Sequence, residues 1–212
     1  MSKATEVPGF VEAVAALRLE GCFNPYTERY PPFDLEDAPA IRRANLTHVL
    51  ESAAATGVDD LWIGLELGHN GGRRTGLAMT DDLHVEAHGR RFGVADRLRR
   101  ATRAGPNKEM TAGIVWQALE GIERRVFLWN VVPVHPHRSG QPLSNRRHTS
   151  HERSACLAQL QFLIDLLRPQ RLVTIGNDAS TALKRHGYSH LSVRHPAYGG
   201  KHQFLDQIAE IA

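Results

Sequence analysis

The feature that most constrains this sequence is the stretch from Leu61 to Thr80, where a short apolar run leads directly into a glycine-rich loop. Leu61, Trp62 and Ile63 have the apolar character of a buried strand. Glycine allows backbone angles and close ligand approaches that other residues do not. Five glycines follow the run: Gly64, Gly68, Gly71, Gly72 and Gly76. A strand that ends in such a loop is typical of open α/β sheets, which bind ligands at the carboxyl ends of their strands.

The rest of the chain alternates strand-like and helix-like segments. Further strand patterns occupy residues 125–132, 171–175 and 190–194. Helical patterns cover 9–20, 41–56, 107–121, 150–167, 179–186 and 201–211, and the basic segment 84–103 is interpreted as a surface helix. This alternation favours a parallel sheet with helices on both faces. We therefore predict a three-layer α/β/α sandwich with a four-stranded parallel sheet, in a single domain of residues 1–212.

Composition excludes several classes of protein. Hydrophobic residues make up 42% of the chain and charged residues 23%, as in ordinary globular proteins. The net charge of +3 is compatible with a nucleic-acid partner but does not require one. We expect a cytoplasmic monomer without membrane association, because the sequence has no signal-peptide pattern and no run of about 18 apolar residues. Cys22 and Cys156 are too few for an iron–sulfur cluster, so no cofactor is expected.

Polar side chains follow three of the predicted strands. Glu66 and His69 come after the first strand, Asn130 lies at the end of the second, and His195 follows the fourth. The carboxyl ends of parallel strands meet at one sheet edge, so we expect these groups to lie together. A carboxylate, an amide and an imidazole suit the hydrolysis of a bond to a heterocyclic base. They can respectively stabilise a cationic sugar, read a base edge and stabilise the leaving base.

Several segments, in this order, resemble motifs of the uracil-DNA glycosylase superfamily. Gly64-Leu65-Glu66-Leu67-Gly68-His69 is similar to the Gly-Gln-Asp-Pro-Tyr-His of some members and the Gly-Glu-Ala-Pro-Gly of others. Thr75-Gly76-Leu77-Ala78-Met79-Thr80 resembles the Thr-Gly-Ile-Pro-Phe-Thr of the thermophilic branch. Asn130-Val131-Val132 and His195-Pro196-Ala197 resemble the later Asn-Val-Val and His-Pro-Ser/Ala motifs. The resemblance covers roughly residues 55 to 210, and the superfamily fold agrees with the sheet predicted above.

The resemblance implies an activity and a role for each matching residue. Glu66 falls on the water-activating residue, Asn130 on the base-reading residue, and His195 on the histidine that stabilises the uracil anion. Expected substrate contacts are Gly64, Gly68, His69 and Met79, and expected DNA contacts are Arg73, Arg74, Arg146, Arg147, Tyr198, Lys201 and His202. Base flipping would deliver the nucleotide. The implied reaction hydrolyses the N-glycosidic bond of uracil in DNA and leaves an abasic site.

Departures from the family motifs indicate an atypical branch. Gly68 stands where one branch has a tyrosine that excludes the thymine methyl group, and Met79 replaces a phenylalanine that stacks on the base. Gly199 falls where a leucine enters the duplex, which leaves Tyr198 or His202 as the wedge. The cysteines that hold the cluster of the thermophilic branch are missing, so the cluster is not expected either.

Other interpretations remain open from the sequence. The enzyme could act on another deaminated base or on mismatched thymine, or the chain could bind damaged DNA without turnover. The glycine loop alone also fits a turn with a solvated basic tip. Four histidines raise the possibility of zinc, namely His135, His137, His148 and His151. They lack a carboxylate at matched spacing, so we predict no metal site.

Overall fold

The computed structural model describes residues 3–103 and 105–212. Within them the helices are α1 Val7–Ala15, α2 Ala38–Thr56, α3 Gly72–Thr75, α4 Val85–Arg91, α5 Met110–Glu120, α6 Ser150–Ala155, α7 Leu157–Leu167, α8 Asn177–Arg185 and α9 Lys201–Ile211. The strands are β1 Cys22–Phe23, β2 Asp60–Glu66, β3 Val126–Val132, β4 His135–Pro136, β5 Arg171–Ile175 and β6 Leu191–Val193. Short 3₁₀ turns occupy Lys3–Glu6 and Ala95–Arg97.

The main sheet has four parallel strands in the order β3-β2-β5-β6, which confirms the predicted sheet. In the register between β2 and β3, Gly64 lies beside Asn130 and Glu66 beside Val132. Strand β2 is therefore central, and its carboxyl end opens between the ends of β3 and β5.

Alternate residues of the strands pack on opposite faces, which produces the three layers. Leu61 and Ile63 join the core formed with α1, α2, α7 and α8. Trp62 and Leu128 face the other core, formed with α5 and α9. Both faces of a parallel sheet are covered by helices, so the strands are apolar throughout. The predicted sandwich is confirmed, whereas the single-domain assignment stays a prediction.

The segment from residue 133 to 149 differs from expectation in one place. Its polar and proline-rich composition predicts no regular element, and this is wrong for β4. Cys22 pairs with Pro136, and Phe23 pairs with His135, in an antiparallel two-stranded ribbon. A two-residue strand is too short to produce a periodic pattern. Its formation also depends on pairing with a segment that is distant in the sequence.

Two predicted helices are interrupted in the structure. The basic segment 84–103 forms α4 and a 3₁₀ turn instead of one long helix. The helix predicted for 150–167 breaks at Cys156, where α6 ends and α7 begins. In the described parts of the chain, no helix is long and apolar enough to cross a bilayer.

Candidate active site

Asn130 presents an unpaired amide oxygen at the carboxyl end of the sheet. The residue is 2% exposed, and its Nδ2 donates a 3.2 Å hydrogen bond to the backbone oxygen of Glu66. Its buried Oδ1 has no partner among the residues that the structure describes. Leaving a buried acceptor unpaired costs free energy, so this atom suits a ligand that donates a hydrogen bond. The second hydrogen of Nδ2 is available to an acceptor on the same ligand.

Gly64 and Met79 form the wall beside this amide. A β-carbon built on Gly64 would lie 2.8 Å from Asn130 Nδ2 and 3.4 Å from Met79 Sδ, so glycine gives both side chains their room. Met79 has a left-handed backbone, with φ of 48°. Its carbonyl oxygen accepts a 3.2 Å hydrogen bond from Trp116 Nε1 on α5. Strained backbone of this kind persists where surrounding contacts fix it, and it clusters at functional sites.

Glu66, the last residue of β2, is held in place by His148. The backbone N–H of His148 donates to Glu66 Oε1 at 2.9 Å, and His148 Nδ1 lies 3.2 Å from the same oxygen. The Glu66 side chain is 15% exposed and that of His148 is 3% exposed. Both contacts are made to Oε1. They leave Oε2 free of these contacts for water or substrate.

A capping box fixes His148 opposite Glu66. Thr149 Oγ1 accepts from the Glu152 backbone N–H at 3.2 Å, and Glu152 Oε2 accepts from the Thr149 backbone N–H at 2.7 Å. This reciprocal pair starts α6 directly after His148 and fixes the direction of the entering chain. Thr149 followed three residues later by Glu152 is the sequence pattern typical of such a helix start.

His195 follows β6 and carries its proton on Nε2. Its Nδ1 accepts a 3.1 Å hydrogen bond from the Ala197 backbone N–H, so Nδ1 bears a lone pair. Burial and the nearby Arg194 lower the pKa of His195, while the charge of Glu66 opposes this shift. The imidazole is therefore neutral at pH 7 and offers Nε2–H as a donor. Glu66 therefore lies near enough to His195 for its charge to act on the imidazole.

The glycine loop after Glu66 is covered by two other segments. His69 contacts Asn145, whose Oδ1 lies 3.1 Å from the His69 backbone nitrogen and 3.2 Å from its Nδ1. Gly68 faces Glu109, and a β-carbon built on Gly68 would overlap the Glu109 carboxyl group. Glu109 immediately precedes α5. One side of the loop is thus lined by Glu109, a residue from another part of the chain.

Arg73 does not lie on the protein surface, which corrects the expected phosphate contact. It is fully buried, with its Cζ 3.9 Å from the ring centroid of Phe23, 5.1 Å from that of Tyr30 and 5.4 Å from that of Phe33. Burial lowers the pKa of Arg73 to about 10, so the guanidinium remains a cation at neutral pH. Attraction between this cation and the ring faces replaces the hydrogen bonds that its nitrogens lack in the described structure.

Arg74 requires the same correction, whereas the expected DNA contact of the partly exposed Arg146 stays a prediction. Arg74 is 6% exposed, and its Nε donates to Asp82 Oδ2 at 2.9 Å. Arg146 donates to both carboxylate oxygens of Glu152, at 2.5 and 2.9 Å, and to the carbonyl oxygen of His137 at 2.9 Å. A glycine-rich loop beside basic residues resembles a phosphate site in sequence, but here the arginines hold loops together.

The remaining candidates for DNA contact are exposed on the surface of the protein. Tyr198 is 94% exposed, and its φ of 54° places it at the tip of a tight turn before Gly199. Lys201 and His202 follow it, exposed, at the start of α9. Arg147, with 68% of its side chain exposed, forms an ion pair with Asp178. These four residues keep the accessibility that a contact with DNA needs.

Sequence reasoning missed two residues of the site. His148 is considered there only as a metal ligand, and Glu109 is treated as part of a helix. The capping pattern at Thr149 locates the chain beside His148, but no local pattern indicates that Glu66 is its partner 82 positions away. Within residues 3–103 and 105–212, no group of three His, Cys, Asp or Glu side chains is arranged to hold a metal ion.

Comparisons with known proteins identify the fold and the family of this chain. The chain is similar to the crystal structure of wild-type SMUG2 from Pedobacter heparinus, with a TM-score of 0.58 and 14% identity over 100% of this chain and 97% of that one. At this identity the likeness shows the shared fold. A comparison with curated proteins finds no match. The family model described as "Uracil DNA glycosylase superfamily" matches residues 63–210. The match supports a DNA glycosylase with DNA as its substrate, and because it spans more than half of the 212 residues, the chain belongs to the uracil DNA glycosylase superfamily.

Proposed function

We propose that this protein hydrolyses the N-glycosidic bond of deoxyuridine in DNA and leaves an abasic site. The observation that carries the proposal is the buried, unpaired Oδ1 of Asn130 beside a free hydrogen on Nδ2. Uracil presents the complementary edge, because its N3–H is a donor and its O4 is an acceptor. Cytosine presents an acceptor at N3 and a donor at N4, so it meets the amide with the wrong pattern.

The neighbouring groups suit the two charges that develop when the bond breaks. In this proposal His195, whose Nδ1 accepts from the Ala197 backbone N–H, donates Nε2–H to uracil O2 as negative charge grows on the base. The ionised Glu66 stabilises the cationic sugar and orients the attacking water through its second oxygen. His148 acts as a positioning residue, because it holds the carboxylate without touching the substrate.

Base release from a defined oligonucleotide tests the function. We expect multiple turnovers on single- or double-stranded DNA that contains one uracil, with alkali-sensitive abasic sites as the product. Oligonucleotides with hypoxanthine, xanthine or mismatched thymine test the alternative substrates. Tight binding to uracil-containing DNA without release of the base would instead indicate a damage-binding protein.

The Asn130→Asp variant tests the proposed reading of the base. Aspartate removes the NH2 donor and places an oxygen against the Glu66 carbonyl oxygen, so uracil binding should weaken by about 1–3 kcal/mol. The rejection of cytosine should relax in the same variant, because an acceptor replaces the donor. Initial rates on uracil- and cytosine-containing oligonucleotides measure both effects. Unchanged uracil release would remove Asn130 from the site.

A further inference from the structure

Glu109 is a carboxyl group that the reaction described above does not use. Its backbone N–H donates a 2.7 Å hydrogen bond to Asp81 Oδ2, which fixes the residue just before α5. Asp81 is itself fully buried and also accepts from the Leu83 backbone N–H at 3.1 Å. The preceding Asn107 is tied to the glycine loop by a 2.7 Å hydrogen bond from its Nδ2 to Asn70 Oδ1. The segment therefore has a defined position over the loop.

The carboxyl group fills the space that two glycines leave open. A β-carbon built on Gly68 would overlap Oε1 of Glu109, and one built on Gly71 would overlap Oε2. The two oxygens thus lie against two different points of the loop that begins beside Asn130. Trp116, seven residues further along α5, donates to Met79 in the same wall. Glu109, just before α5, and Trp116, within it, thus contact the Gly68 loop and Met79, respectively.

The Glu109 carboxyl group lacks the partners that a purely structural acid would have. Among the described residues, no side chain or backbone group makes a hydrogen bond to its oxygens, in contrast to Asp81. Burial and the nearby charge of Asp81 raise the pKa of Glu109 to about 7. Both the neutral and the ionised form are thus populated at neutral pH. In either form its oxygens can accept a polarised hydrogen.

We propose that Glu109 forms the wall of the base pocket that faces C5 of the flipped pyrimidine and excludes the methyl group of thymine. This inference rests on the proposed function. If O2 meets His195 and the edge of N3 and O4 meets Asn130, then C5 points away from His195, because C5 lies opposite C2 in the ring. Gly68 lies two residues beyond Glu66, the end of the strand whose Gly64 pairs with Asn130, and Glu109 lies against it. The proposal therefore assigns the C5 side of the base to this loop and Glu109.

The chemistry of a carboxyl wall favours hydrogen over methyl at C5. The C5–H of uracil is small and can approach a carboxyl oxygen in a weak C–H···O contact. A methyl group would need to displace the side chain, or would bury the carboxyl oxygens without a hydrogen-bond partner. Glu109 is accordingly a specificity-determining residue, and it supplies, from the position just before α5, the bulk that Gly68 lacks.

Four variants test this role, with rates of uracil and thymine release from otherwise identical oligonucleotides as the readout. Glu109→Ala opens the space, so the uracil-to-thymine ratio of kcat/KM should fall by about tenfold or more, mainly through faster thymine release. Glu109→Gln keeps the shape and polarity and should retain the ratio within about threefold. Aspartate is also a good helix cap, so Glu109→Asp should keep the start of α5. It withdraws the carboxyl group by one methylene and should give an intermediate ratio. Glu120→Ala, at the exposed end of the same helix, is the matched control and should leave the ratio unchanged.

Binding to uncleavable 2′-fluoro analogues of deoxyuridine and thymidine separates this proposal from the proposed function. If the parent protein releases no uracil, the proposed function fails, but the preference for the uracil analogue still tests Glu109. The proposal is overturned if folded Glu109→Ala and Glu109→Asp keep the parent's preference. It is equally overturned if Glu109→Gln loses the preference as completely as Glu109→Ala. A thermal melt of each variant identifies which of them are folded.

Discussion

At the scale of single residues, the site depends on how Glu66 is held. The carboxylate receives two hydrogen-bond donors from His148, one from the backbone and one from the ring. An aspartate at this position would be one methylene shorter and would meet the same donors less closely. The glutamate thus reaches both His148 and the space in front of the sheet edge.

Glu66→Gln should lower kcat by about two to four orders of magnitude with little change in DNA affinity, because shape is kept and charge is lost. Glu66→Asp should retain more activity than Glu66→Gln, since charge matters more than reach when water mediates the contact. His148→Ala removes only the ring donor and should cost about fivefold to tenfold in kcat. Single-turnover rates on uracil-containing DNA measure all three. Normal turnover by Glu66→Gln would exclude the proposed mechanism.

At the scale of elements, Arg73 connects three parts of the chain. It lies on α3, and its guanidinium contacts Phe23 of β1 together with Tyr30 and Phe33 of the following loop. These rings and the cation form a closed cluster beneath the glycine loop. The cluster anchors the short helix that leads from the catalytic loop towards Met79.

Arg73→Ala should lower the free energy of unfolding by about 3 kcal/mol, because it removes a large buried side chain and leaves a cavity. Arg73→Met fills most of the space without the cation and should cost about half as much. Urea denaturation measures these changes. The exposed Arg97→Ala is the control, with an expected change within about 0.5 kcal/mol. An Arg73→Ala protein as stable as the parent would show that the cluster contributes no stability.

Local patterns predict most of these elements but few of the contacts between them. The runs at 125–132 and 171–175 become β3 and β5 almost residue for residue, because buried parallel strands are continuously apolar. The positions of Glu66, Asn130 and His195 at one edge follow from that topology. The buried location of Arg73 does not, since its ring partners lie about 40 to 50 residues earlier in the chain. The contact between Glu109 and Gly68 is equally non-local, and no spacing within the sequence indicates it.

At the scale of the whole molecule, buried titratable groups make stability depend on pH. Burial lowers the pKa of His88 to about 3 and that of His135 to about 4, so both stay neutral in the folded protein at pH 5. In the unfolded chain they are protonated below about pH 6.5, which reduces the free energy of unfolding as the pH falls.

Glu109 changes the free energy of unfolding in the opposite direction. Its raised pKa of about 7 means that the folded state takes up a proton first, and stability is gained as the pH falls from 7 to 4.5.

Substitutions should separate these opposing contributions. When the pH falls from 7.5 to 5, the free energy of unfolding of His88→Gln should drop by about 2 kcal/mol less than that of the parent. The variant lacks a histidine that is protonated only in the unfolded chain at pH 5. The free energy of unfolding of Glu109→Gln should drop by about 2 kcal/mol more than that of the parent over the same range, because the variant cannot take up the proton that stabilises the folded state. Urea titrations at the two pH values give both differences. Equal losses in the parent and both variants would show that these side chains do not govern the acid response.

The exposed edge at residues 198–202 and Arg147 should carry the electrostatic part of DNA binding. Each phosphate contact releases counterions, so its loss reduces the slope of log K against log salt by about 0.7–0.9. Arg147→Ala and Lys201→Ala should each show this reduction on any DNA sequence, because phosphate contacts do not read bases. Arg73→Met should keep the parent slope, since its guanidinium is enclosed by rings and does not meet solvent. Fluorescence anisotropy at several salt concentrations measures the slopes. The opposite result is a reduced slope for Arg73→Met with unchanged slopes for Arg147→Ala and Lys201→Ala. It would place the DNA at the glycine loop, and the buried arginine would then have to leave its cluster when DNA binds.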